Sequence, residues 1–107
     1  MTRKEAAAII LSIDQGPREL TYAEHFWESS GKRRFTAQDV YYILRSYRME
    51  PGHLVLDEKT GAFRVRLLGK CLEGRKARLV LDLRMEGPCT AVSIMEHIQT
   101  RTRRRNK

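Results

Sequence analysis

Proton transfer beside a phosphate is the chemistry this 107-residue sequence could support, and its histidines and arginines carry that reading. Histidine is the side chain that exchanges protons near neutral pH. Of the three, His25 stands in the most promising place, between Thr21 and the basic run Lys32-Arg33-Arg34. His53 follows a Pro-Gly pair and His97 precedes the basic end of the chain; both are expected to be exposed and idle. Arg64 and Arg66 alternate with apolar residues, and so do Arg78 and Arg84 further on. Arginines on adjacent strands can converge into a surface that holds phosphate. The plainer alternatives are a solvated sheet face that happens to be basic, and a His25 that caps a helix or packs at the sheet edge.

Other chemistries find no support. No His, Cys, Asp or Glu spacing matches a metal site. There is no glycine-rich phosphate loop, no Ser-x-x-Lys and no Gly-x-Ser-x-Gly. No cofactor is expected. Cys71 and Cys89 fall in separate predicted strands and read as small buried hydrophobes rather than a disulfide or metal pair.

Net charge is +8. Arg101, Arg103, Arg104, Arg105 and Lys107 supply five of those charges, which leaves +3 for the rest. Residues 101–107 are expected to form a disordered basic tail behind a single domain spanning 1–100. Arg103 and Arg104 could add affinity for a polyanion through counterion release, or the tail could simply solubilise. No apolar run approaches the roughly 18 residues that span a bilayer. With no signal peptide legible, no membrane association and a cytoplasmic location are expected.

These residues need elements to hold them. Thr2 with Glu5 makes a capping box ahead of Ala6, Ile9, Ile10 and Ile13, whose spacing predicts a helix that Gly16-Pro17 ends. Arg3 and Lys4 stand in its first turn, where cations are slightly unfavourable, so that turn is expected to fray. Thr21 with Glu24 predicts a second helix carrying Tyr22, Phe26 and Trp27 on one stripe, stopped at Ser29-Ser30-Gly31. Thr36 with Asp39 starts a third, with Val40, Ile43 and Leu44 on one face, ending near Tyr47.

From His53 onward the period changes to two. Strands are expected near 53–57, over Phe63, Val65 and Leu67, over Leu79, Leu81 and Leu83, and over Thr90, Val92 and Ile94. The short turns between them force antiparallel neighbours. The expected fold is α+β, with N-terminal helices packed on one face of a four-stranded antiparallel sheet. Arg64, Arg66, Arg78 and Arg84 would occupy the other face, with Asp82 the one acid among them.

The run from Leu20 to Met95 resembles the domain-of-unknown-function family 4258. The matching residues are His25, Arg33 with Arg34, Thr36-Ala37-Gln38-Asp39-Val40, and the closing strand Ala91-Val92-Ser93-Ile94-Met95. That family is similar to the barnase-like and RelE-like ribonuclease toxins, so the resemblance implies a RelE-like fold and metal-independent RNA cleavage. It makes His25 and Ser93 the catalytic candidates and Arg33 and Arg34 contacts to RNA. Two positions depart from the family pattern. Ser29 stands where an arginine is common, and Ser93 where a threonine is. The first removes a phosphate clamp and bears on catalysis more than on the fold.

Two functions follow from these expectations. One is a toxin-type RNA-binding protein acting as an endoribonuclease. His25 would move the proton and the arginines would stabilise the phosphorane. An acidic antitoxin-like protein would suit such a basic chain as partner. The other is a non-catalytic module that binds nucleic acid or a protein.

Overall fold

A computed structural model describes residues 1–28, 35–51 and 54–97. Ser29, Arg33, Arg34, His53 and the tail with Arg103 and Arg104 lie outside the described residues.

The first helix, α1, spans Arg3–Asp14. Its capping box forms as the sequence predicts, with Thr2 Oγ1 accepting from Glu5 N and Glu5 accepting from Thr2 N. Ala6, Ile9, Ile10 and Ile13 are its buried stripe. The first turn is tied down rather than frayed. Arg3 crosses to donate to the carbonyls of Met49 (3.0 Å) and Glu50 (3.4 Å).

The predicted second helix does not form over the described residues up to Glu28. Leu20–Tyr22 is instead a short strand, β1, followed by a turn through Phe26. β1 runs parallel to the last strand, with Thr21 opposite Thr90. Backbone bonds extend the match from Cys89 N to Glu19 O and from Ala23 N to Ala91 O. The Thr-x-x-Glu signal is worth about 1 kcal/mol. A vacant sheet edge offers several backbone hydrogen bonds to a Leu-Thr-Tyr segment of good strand propensity, and it wins. Thr21 Oγ1 bonds Cys89 O and Thr90 Oγ1 in place of a helix start.

Helix α2 spans Ala37–Ser46 under the predicted Thr36–Asp39 box. The remaining strands are β2 (Arg48–Met49), β3 (Val55–Asp57), β4 (Ala62–Lys70), β5 (Lys76–Leu83) and β6 (Cys89–Glu96). The sheet has six strands rather than four, in the order β1-β6-β5-β4-β2. β3 also pairs with β4, so β2 and β3 share one edge of that strand at its two ends. All pairs but β1–β6 are antiparallel.

Both helices serve one hydrophobic layer on one side of the sheet. Val40, Ile43, Val65, Leu67, Leu79, Leu81 and Ile94 are fully buried there, as the strand pattern predicts. Two expectations fail at the margin. Trp27 is 41% exposed, packed edge-on against Phe26 (4.7 Å) but outside the core. Val92 is not a core residue, because β6 carries a bulge: Leu81 faces Ala91 while Val80 faces Ser93. The extra residue flips the phase, so Cys89 and Ala91 point inward before it and Ile94 after it.

Candidate functional site

Strand alternation decides which side chains face away from the helices. Cross-strand pairs put Arg48, Leu68, Arg78 and Met95 in one row of the open face. Arg66, Val80 and Ser93 form the next row, and Arg64, Asp82 and Thr90 a third. Arg64, Arg66 and Arg78 therefore do share the face that the sequence pattern assigns them. Arg84 lies just past β5 and is half-buried. Its carbonyl accepts from Arg18 at 2.8 Å.

Two of the face arginines are engaged internally. Arg64 grips Asp82 with both prongs, at 2.9 and 3.1 Å, and that hydrogen bonding raises its pKa further. Arg78 reaches Glu50 at 3.0 Å, while its Nε is buried with no partner. Asp82 is thus not the one acid on this face, since Glu50 enters from the residue after β2 and Asp57 from β3, near enough for its charge to act on Arg64. Arg66 and Arg48 are exposed and make no side-chain hydrogen bond or ion pair among the described residues. With Lys70 and Lys76, which share their side of the sheet, this face sets six cations against three carboxylates, Glu50, Asp57 and Asp82.

One end of the sheet is more strongly basic than its middle. Lys70 and Lys76 stand directly opposite each other where β4 turns into β5. The backbone N–H of His97 donates to Lys76 O at 2.9 Å, which brings His97 alongside. Ser46 Oγ accepts from Lys70 N (3.0 Å) and lies 3.2 Å from its carbonyl, continuing the ladder beyond β2. A cavity of about 300 Å³ opens there, lined by Ser46, Arg48, Leu68, Gly69, Lys70, Lys76 and His97. No acidic residue lines it among the described residues. His97 is half-buried rather than exposed, and it lines this cavity together with the two lysines.

His25 is positioned differently from the expectation. It sits in the turn after β1, with its ring 71% exposed. Nδ1 lies 3.1 Å from Glu28 Oε1 and Nε2 4.0 Å from Glu24 Oε2. Two carboxylates put negative charge where a phosphate would have to approach. Ser93 is on the arginine face, across Val80 from Arg66. No hydrogen bond joins His25 to Ser93 or to an arginine among the described residues.

The buried charged residue among those described is structural. Asp39 is only 3% exposed. It accepts from Thr36 N (2.9 Å) and Thr36 Oγ1 (3.2 Å) with one oxygen and from Leu72 N (3.1 Å) with the other. Arg75 lies 3.9 Å away and spreads over the Phe35 ring at 4.4 Å. Burial, then the neighbouring Asp39 charge, pushes the Cys71 thiol up to about 11, which removes it as a nucleophile at neutral pH. Both cysteines are free and buried. No group of His, Cys, Asp and Glu among the described residues could hold a metal ion, and no described helix is long and apolar enough to cross a membrane.

Sequence reasoning missed Arg48, Lys70, Lys76 and His97. The lysines carried a usable signal. They flank the turn through Leu72–Arg75 symmetrically, so a hairpin must set them face to face. His97 carried none, because its side of the sheet depends on the bulge.

The fold and this surface define a small α+β protein with helices on one side of its sheet and an open basic face on the other. Comparison with family models, with curated proteins and with solved structures gave no significant match for the chain.

Proposed function

We propose that this chain binds single-stranded RNA across the open face of the sheet, as a RelE-like toxin-type protein without a cleavage centre at His25. The observation that carries the reading is the charge of that face. Six cations stand against three carboxylates, and Arg48 and Arg66 have no side-chain partner among the described residues. Cations that lack an internal counterion gain most from releasing the counterions of a phosphate backbone. Leu68, Val80 and Met95 lie between the arginines and offer apolar surface to unstacked bases. An acidic antitoxin-like protein would dock by the same electrostatics, and would compete with RNA for the face.

The test is binding of a fluorescent oligoribonucleotide as salt is raised. Micromolar, salt-sensitive binding is expected. Arg48→Ala and Arg66→Ala should each weaken it across unrelated sequences and lower the salt slope by about 1. His25→Ala should leave it unchanged. Folded protein that fails to bind RNA at low salt would exclude the proposal. Binding only to an acidic protein would assign the face to that partner instead.

A further inference from the structure

We infer that the cavity at the Lys70–Lys76 end of the sheet receives a phosphate monoester, that of the terminus of a strand lying on the open face. This rests on the RNA-binding reading, and it adds a distinct site to it. Directly opposed like charges destabilise a strand pair. Lys70 and Lys76 are such a pair, their Cβ atoms held about 5 Å apart by the register. No acid among the described residues lines the cavity to compensate them, whereas Arg64 and Arg78 on the same face each have one. Arg48 and His97 add two further cationic or protonatable groups around the same space. A doubly charged monoester matches that concentration of charge, and a singly charged backbone diester does not. The volume, about 300 Å³, is at the small end of ligand pockets and accommodates one terminal residue rather than a run of backbone. Leu68 and Gly69 give it an apolar wall against which the terminal sugar can lie. The Arg48–Leu68–Arg78 row leads from the cavity into the arginine face, so one strand can occupy both.

The experiment compares one eight-nucleotide RNA with a 5′-phosphate, a 3′-phosphate or hydroxyls at both ends, alongside an NMR titration with inorganic phosphate. A preference of roughly tenfold for one phosphorylated end is expected, the size of one added charge-assisted contact. A Lys70→Gln/Lys76→Gln double variant should erase that preference while the hydroxyl-ended strand loses much less. His97→Ala should reduce it. Both lysines are exposed, and an unchanged thermal midpoint will verify that the variant folds. Inorganic phosphate should shift the amides of Ser46, Lys70, Lys76 and His97. If no strand binds but these shifts appear, the cavity stands as a monoester site for free phosphate compounds and the RNA reading fails. Equal binding of all three strands with no phosphate-induced shifts overturns the inference and leaves the RNA reading intact.

Discussion

Asp39 reads as a capping residue in the sequence, and the molecule makes it structural throughout. A nearly inaccessible carboxylate beside a cysteine and an arginine has the makings of an active site. Every bond it makes is instead local architecture. It caps α2 through Thr36 and pins the β4–β5 turn through Leu72 N. Asp39→Ala would strand both backbone donors, one at a helix start and one in a turn. The expected loss is about 2–4 kcal/mol, a lost cap plus an unsatisfied donor. Urea unfolding of the variant measures it, and a loss below about 0.5 kcal/mol would show that neither bond matters. Asp39→Asn should cost less, because the amide can keep one acceptor on the same donors.

At the level of elements, the local signals in the sequence were strong where they agreed with the tertiary context. The Thr2–Glu5 and Thr36–Asp39 boxes both form, and the Phe63–Leu67 and Leu79–Leu83 alternations become β4 and β5 in the expected register. The Thr21–Glu24 box looks the same in sequence and fails, since only the fold reveals that β6 has an open edge for Leu20–Tyr22 to fill. The bulge at Val92 is equally silent, because Ala91-Val92-Ser93-Ile94 reads as regular alternation. Gly69 is a legible residue with an illegible reason. A Cβ there would come within 3.0 Å of Ile43 Cγ2, 3.1 Å of Ser46 Oγ and 3.3 Å of Ile43 Cα. The glycine thus sets how closely α2 lies on β4. Gly69→Ala should push the helix outward and cost about 1–3 kcal/mol, the usual penalty of overpacking. The Ser46–Lys70 bonds should weaken with it, which amide exchange at Lys70 can detect. An unaltered exchange rate and stability would mean the helix yields freely.

For the whole molecule, the two sides of the sheet divide the work. The helix side holds the core with buried titratable groups such as Cys71 and Asp39, and the open side holds more cations than carboxylates. That division makes a prediction about pH that is independent of any ligand. Burial raises the pKa of the Cys71 thiol from 9.0 to about 11. It also raises those of Tyr22, to which the nearby Tyr41 adds, and Tyr47 above their ordinary 10.0. Each of these groups is neutral when protonated, and the folded chain holds its proton more tightly than the unfolded chain does. Their contribution is therefore complete below about pH 9. It falls once the unfolded state begins to lose protons that the native state keeps, and it is gone when the pH has passed through the raised folded values, about 11 for Cys71. The urea midpoint should be flat from pH 7 to 8.5 as far as these groups are concerned, then drop steadily toward pH 11. Cys71→Ala should make that drop shallower, because alanine has no proton to lose, even though the variant starts from a lower midpoint through its missing sulfur. A wild-type midpoint that holds constant to pH 11 would refute the assignment. So would a Cys71→Ala profile parallel to the wild type across the whole alkaline range.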